Sequence, residues 1–105
     1  MLTDQQIDVF SKAGKYPCIR KVGVFGSRAR NEETNESDID IMIDYDFDSE
    51  TFLEELDDYL GDVEKEIPGK IDYITLPGLM YSKNEDFRQA VLRDVKWIYI
   101  NSETN

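Results

Sequence analysis

Histidine is absent from the 105 residues of the chain. That removes the commonest general base and the imidazole metal ligands together. A single cysteine, Cys18, excludes an internal disulfide and argues against a thiolate metal centre. Such sparse cysteine usage leads us to expect a cytoplasmic protein. No apolar run approaches the ~18–20 residues that span a bilayer. The start, Met1-Leu-Thr-Asp-Gln-Gln6, is polar and acidic rather than signal-like, so neither secretion nor membrane attachment is expected. Cations are also scarce: 12 Lys and Arg stand against 23 Asp and Glu, a net charge of −11. So acidic a body makes direct binding to DNA or RNA an unfavourable reading, because the polymer needs a basic footprint. No linker, repeat or low-complexity stretch interrupts the chain, and a single domain over residues 1–105 is expected.

With imidazole and thiolate excluded, acid–base or metal chemistry has to come from carboxylates, Lys, Tyr or the backbone. The few cations are unevenly placed. Residues 1–30 carry Lys12, Lys15, Arg20, Lys21, Arg28 and Arg30 against only Asp4 and Asp8. A small basic corner in an acidic protein fits a small phosphate ligand better than a polymer.

The apolar pattern reads as helices alternating with strands. Thr3 and Gln6 form a capping box ahead of a helix over 4–13, with Ile7, Phe10 and Ala13 on one face and Gly14 as its stop. Residues 19–25 are β-branched and apolar and predict the first strand; Gly26-Ser27 turns it, and 28–33 can form a short helix. A polar loop at 34–37 precedes a second strand over 38–44. Its Ile39, Ile41 and Ile43 face one way, and Asp38, Asp40 and Met42 the other. Phe52, Leu53, Leu56, Tyr59, Leu60, Val63 and Ile67 follow a 3.6-residue period and predict a long helix over 49–66. Lys70–Leu76 is a third strand stopped by Pro77-Gly78. Ser82 and Glu85 mark a second capping box before a helix over 83–94, and Trp97–Ile100 closes the chain as a last strand. The fold expected is α/β (α+β), a mixed four-stranded sheet flanked by helices. About a dozen residues join the first two strands, which leaves their relative direction open.

Two features of this frame carry chemistry. Asp38 and Asp40 sit two apart on a strand, so their Cα atoms are roughly 7 Å apart on one face and their carboxylates can share a divalent ion. Asp72 lies among apolar neighbours on another strand, where a carboxylate is costly without a partner or cation. Three aspartates on neighbouring strands offer an all-oxygen site suited to Mg²⁺ or Mn²⁺. Gly26-Ser27 supplies the other feature. At a strand-to-helix turn the backbone N–H groups attract anions, Gly admits a phosphate closely, and the Ser27 hydroxyl can add a hydrogen bond. Arg28 and Arg30 bring positive charge to the same corner. Each piece alone is common, a turn or a solvated acidic pair; in this order and on these elements they are the parts of metal-assisted phosphoryl or nucleotidyl transfer.

Gly26-Ser27, ten residues, Asp38-Ile-Asp40 and a later strand carrying Asp72 together resemble the nucleotidyltransferases of the DNA polymerase beta superfamily. The short form Gly-Ser-x-Ala-Arg…Ser-Asp-x-Asp is similar to its smallest branch, the minimal nucleotidyltransferases. The resemblance implies that Asp38 and Asp40 bind two Mg²⁺ ions, with Mn²⁺ as a substitute, and that Asp72 completes the catalytic metal site. It implies that Gly26 and Ser27 hold the β- and γ-phosphates of ATP or another nucleoside triphosphate while an acceptor hydroxyl attacks the α-phosphorus. It further implies an antitoxin-like role beside a HEPN-type toxin, with AMP transferred to a toxin tyrosine. The competing expectation is a non-catalytic module that neutralises a partner protein by complex formation, using its acidic surface and apolar positions such as Phe47 or Tyr81.

Overall fold

A computed structural model describes residues 2–32, 34 and 38–101 of the chain. The expected loop at 34–37 therefore lies largely outside the described residues, as do Ser37 of the motif and Glu33.

The first strand, β1 (Ile19–Phe25), is central. It pairs antiparallel with β2 (Ile39–Tyr45) on one side and with β4 (Lys96–Ile100) on the other. β3 (Ile71–Thr75) lies outside β2 and runs parallel to it, which gives a mixed four-stranded sheet in the order β3-β2-β1-β4. The direction left open by length is thus antiparallel for β1 and β2. β2 and β3 are parallel, joined through helix α2 (Phe52–Glu66), because parallel neighbours need a crossover.

Each face of the sheet carries its own apolar cluster. Ile39, Ile41 and Ile43 of β2 join Val22 and Val24 of β1 under α1 (Asp4–Phe10) and α2, with Phe10, Tyr59 and Val63 filling the space between. On the opposite face Phe25 and Met42 pack under Leu79 of α3 (Leu76–Met80) and Val91 of α4 (Glu85–Asp94). Alternation along β2 therefore puts Asp40 on the same side as Met42, towards α3 and α4. No helix among the described residues is long and apolar enough to cross a membrane.

Local side-chain chemistry explains where the helices depart from their expected bounds. The Thr3–Gln6 capping box forms in both directions. α1 nevertheless ends at Phe10, and a 3-10 turn occupies Ser11–Lys15, where the Ser11 hydroxyl donates to the Ile7 carbonyl at 2.7 Å and competes with the backbone. α2 starts at Phe52 rather than 49 because Asp46 holds a turn first: its carboxylate accepts from the Asp48 N–H at 3.0 Å. The expected stop at Pro77-Gly78 is instead the opening of α3. Thr75 caps it by accepting from Gly78 N–H at 3.1 Å, and Pro in a first turn forgoes no helix bond. α4 is capped by Asn84, whose side chain accepts from Phe87 N–H, while Ser82 accepts from Asn84 N–H. The second capping box is thus replaced by an Asn cap. Of the short helix expected over 28–33, Glu33 lies outside the described residues and the rest forms none beyond Arg28, the last residue of a 3-10 turn, Gly26–Arg28.

Tyr59 ties the two main helices together. It is fully buried and its hydroxyl donates to the Phe10 carbonyl at 2.7 Å, where α1 passes into the 3-10 turn. Tyr59→Phe keeps the ring but removes that buried hydrogen bond. A loss of about 0.5–1.5 kcal/mol is expected, read as a lower midpoint in urea with an unchanged slope.

Candidate active site

Asp40 and Asp72 face each other as register partners on the parallel strands β2 and β3, and Asp40 is also level with Phe25, the last residue of β1. The carboxylates thus gather where β1 ends and β2 and β3 begin, beyond the edge of the Phe25–Met42–Leu79–Val91 cluster. Asp38 lies one residue ahead of β2, outside the strand that was expected to include it. It still shares a cation with Asp72. The Lys70 ammonium stands 3.7 Å from Asp38 Oδ2 and 3.9 Å from Asp72 Oδ1. The Lys70 backbone is fixed there because its carbonyl accepts from Ile39 N–H at 3.1 Å.

Gly26 closes the site from the β1 side. Its φ is +72°, a left-handed conformation that a Cβ disfavours, and a Cβ at this position would lie 2.3 Å from Asp40 Oδ2. The turn therefore demands glycine twice, once for its backbone and once for the carboxylate pressed against it. Ser27, partly buried, follows in the same turn. With only a 3-10 turn here, a phosphate would meet local backbone N–H groups and the Ser27 hydroxyl rather than the end of a long helix.

The electrostatics follow from this crowding. Burial, then the charges of Asp72 and Asp38, raise the Asp40 carboxyl above the ordinary aspartate range, while Arg30 and Lys70 pull it back. Arg30, expected beside a nucleotide, is held by Asp94 at 2.8 Å and Glu32 at 3.3 Å, near enough for its charge to reach Asp40. Arg28 lies in the turn itself. Elsewhere in the basic segment, Lys12 pairs with Glu66, Arg20 with Asp46, and Lys21 stands 4.3 Å over the Trp97 ring. Those three cations serve the fold.

The donors present suit a hard divalent ion, since three carboxylates are the oxygen ligands Mg²⁺ takes. Among the described residues no three acidic groups are drawn tightly enough around one point to ligate an ion as they stand. Instead the Lys70 ammonium occupies the position of a cation between two of them. Lys70 was not singled out from the sequence. Its signal was nevertheless there: Lys70 and Asp72 are two apart at the start of a strand, which places them on one face as surely as Asp38 and Asp40.

A separate cleft of about 270 Å³ lies farther along β3, lined by Ile74, Thr75, Gly78, Leu79, Ser82 and Phe87. Met80, Tyr81 and Phe87 are exposed beside it, Tyr81 at 85%.

The chain matches the family described as "Polymerase beta, Nucleotidyltransferase" over residues 7–104. It is 44% identical over 59 residues to a Methanocaldococcus jannaschii protein named "Putative protein adenylyltransferase". That similarity takes in 54% of this chain and 56% of the relative, so the chain spans about half the length of the relative it matches. Among solved structures it is similar to a "putative minimal nucleotidyltransferase", with a TM-score of 0.64, 23% identity, and 87% and 86% of the two chains covered. It also shares its fold with a chain from a crystal structure described as a toxin-antitoxin with AMP-PNP, with a TM-score of 0.54, 17% identity, and 96% and 77% covered.

Proposed function

Because this chain belongs to the polymerase beta nucleotidyltransferase family, we propose that it transfers AMP from ATP to a hydroxyl of a partner protein. The observation that carries this reading is the convergence of Asp38, Asp40 and Asp72 on one corner of the sheet, against a glycine that no other residue can replace without displacing Asp40. Asp38, Asp40 and Asp72 would hold Mg²⁺ or Mn²⁺, which when bound neutralises phosphate charge and orients the triphosphate. Gly26 and Ser27 receive the β- and γ-phosphates. The acceptor oxygen forms a bond to the α-phosphorus as the bond to the bridging oxygen of the β-phosphate breaks, and pyrophosphate leaves. Asp72, on the edge strand β3 and more exposed than Asp38, takes the acceptor's proton. The acceptor we favour is a tyrosine of a HEPN-type toxin, with this chain as antitoxin. Support for that partner comes from the resemblance of the motif to minimal nucleotidyltransferases and from the shared fold with a toxin-antitoxin component.

The test is a labelling reaction containing the purified chain, the product of the adjacent gene, Mg²⁺ and ATP labelled at the α-phosphate. Label on the neighbour, located to one hydroxyl, is the expected result. Label confined to ATP and free AMP, with the neighbour fully active, would overturn the reading.

The exposed apolar residues Met80, Tyr81 and Phe87 favour a second reading, neutralisation of the partner by occlusion alone. It differs in one outcome. Changing Asp38, Asp40 and Asp72 together to Asn would leave inhibition of the partner intact.

A further inference from the structure

Lys70 is anchored at its backbone, and its head group lies largely exposed between two carboxylates. The Pro68-Gly69 turn, with Gly69 at φ +101°, delivers it, and the bond from Ile39 N–H to its carbonyl pins its backbone to the start of β2. Its side chain is 70% exposed, whereas its two carboxylate partners are 41% and 48% exposed. Contacts of 3.7 and 3.9 Å lie at the long end of ion-pair geometry. The ammonium therefore bridges Asp38 and Asp72 without being locked to either, and it can swing into solvent about a fixed stalk. A divalent ion drawn to those same carboxylates would bring two positive charges to where one already stands.

We infer that Lys70 is a built-in counter-ion of the carboxylate site, holding Asp38 and Asp72 together in the metal-free protein and competing with the divalent ion for them. The inference rests on the proposed metal role of the aspartates. Its consequence is a metal threshold written into the chain: the ion must displace an ammonium, so half-saturation falls at a higher concentration than three aspartates alone would give.

The experiment uses the full chain without nucleotide and Mn²⁺ as the probe. Metal binding is followed by calorimetry and by the melting temperature, for the wild type, Lys70→Gln and Lys70→Arg. Lys70→Gln is expected to bind Mn²⁺ about three- to tenfold more tightly, the range set by removing one unit charge from a half-exposed site. Its metal-free form should melt lower than the wild type and recover more on adding Mn²⁺. Lys70→Arg keeps the charge and should stay within about twofold of the wild type. Equal affinity for wild type and Lys70→Gln would overturn the inference while leaving the carboxylates as metal ligands. Weaker binding by Lys70→Gln would also overturn it, since Lys70 would then be organising the ligands rather than opposing the ion. No Mn²⁺ binding by any of the three proteins would overturn this inference and the metal role of the aspartates together.

Discussion

Asp40→Asn is expected to abolish nucleotidyl transfer and at the same time to raise the melting temperature of the metal-free protein. The two effects have one origin. Asp40 is partly buried beside Asp72, its register partner, and within reach of the charge of Asp38, and Gly26 presses on it from β1. Burial and those like charges make the ionised form costly, which is why its carboxyl lies above the usual aspartate range. A folded-state value above the unfolded one, about 3.9 for aspartate, means that the folded protein holds this proton more firmly. Stability from this group is therefore greatest in acid and falls as pH rises through that window, so its full cost is present at neutral pH. Asn has the same shape and no charge, and it removes the cost. The gain in melting temperature over the wild type should accordingly be largest near neutrality and shrink as pH falls towards about 4. Transfer loses a charge that only the loaded site can use, and a fall on the order of a thousandfold, several kcal/mol of barrier, is expected. Millimolar Mn²⁺ should then raise the wild-type melting temperature more than that of Asp40→Asn, because a ligand held only by the folded state stabilises it. Loss of activity together with a lower melting temperature would instead assign Asp40 a structural role.

Much of the frame was legible because strands announce themselves through composition. β1 occupies the expected residues, and β2, β3 and β4 differ from expectation by about one residue at an end, since runs such as Ile39-Asp-Ile-Met-Ile43 have one face that must be buried. Helix ends were less legible. Ser11, Asp46 and Asn84 each offer the backbone a side-chain partner, and nothing in apolar periodicity reveals which will take it. α3 was missed for a related reason: Pro77 reads as a stop in isolation, yet with Thr75 two residues ahead it opens a helical turn.

The candidate site divides in the same way. Local spacing placed Asp38 and Asp40 on one face, and the cost of a carboxylate among apolar strand neighbours singled out Asp72, whose side chain the edge position of β3 leaves 48% exposed. That Asp40 and Asp72 are level with each other depends on the parallel register of two strands separated by α2, which no local pattern contains. The destination of Arg30 was equally hidden, because Asp94 lies 64 residues away and reaches it only once α4 has folded back over the sheet. Lys70 was recoverable from its spacing to Asp72, but a lysine beside a turn attracts no notice until its neighbours are known.

Gly26→Ala is the substitution that should separate backbone strain from damage to the site. Two things happen at once in this variant. The backbone at φ +72° becomes strained, which costs roughly 1–2 kcal/mol for a residue with a Cβ, and the new Cβ would meet Asp40 Oδ2 at 2.3 Å. The contact is relieved most cheaply by the carboxylate, the free end of its side chain, so Asp40 is pushed off its position, away from β1, while the sheet stays whole. Displacing a group by about 1 Å from its working position costs on the order of a hundredfold in rate. Gly69→Ala supplies the control. Gly69 also has positive φ, at +101°, but a Cβ there has nothing within 4 Å. Both variants should therefore lose similar stability, a fall of several degrees in melting temperature. Only Gly26→Ala should lose transfer by about a hundredfold or more, with Gly69→Ala staying within a few-fold of the wild type. If the two lose activity in proportion to their stability, the close approach of Gly26 to Asp40 has no bearing on the chemistry, and strain alone accounts for both. If only Gly26→Ala fails, the glycine is required for where it lets the carboxylate stand.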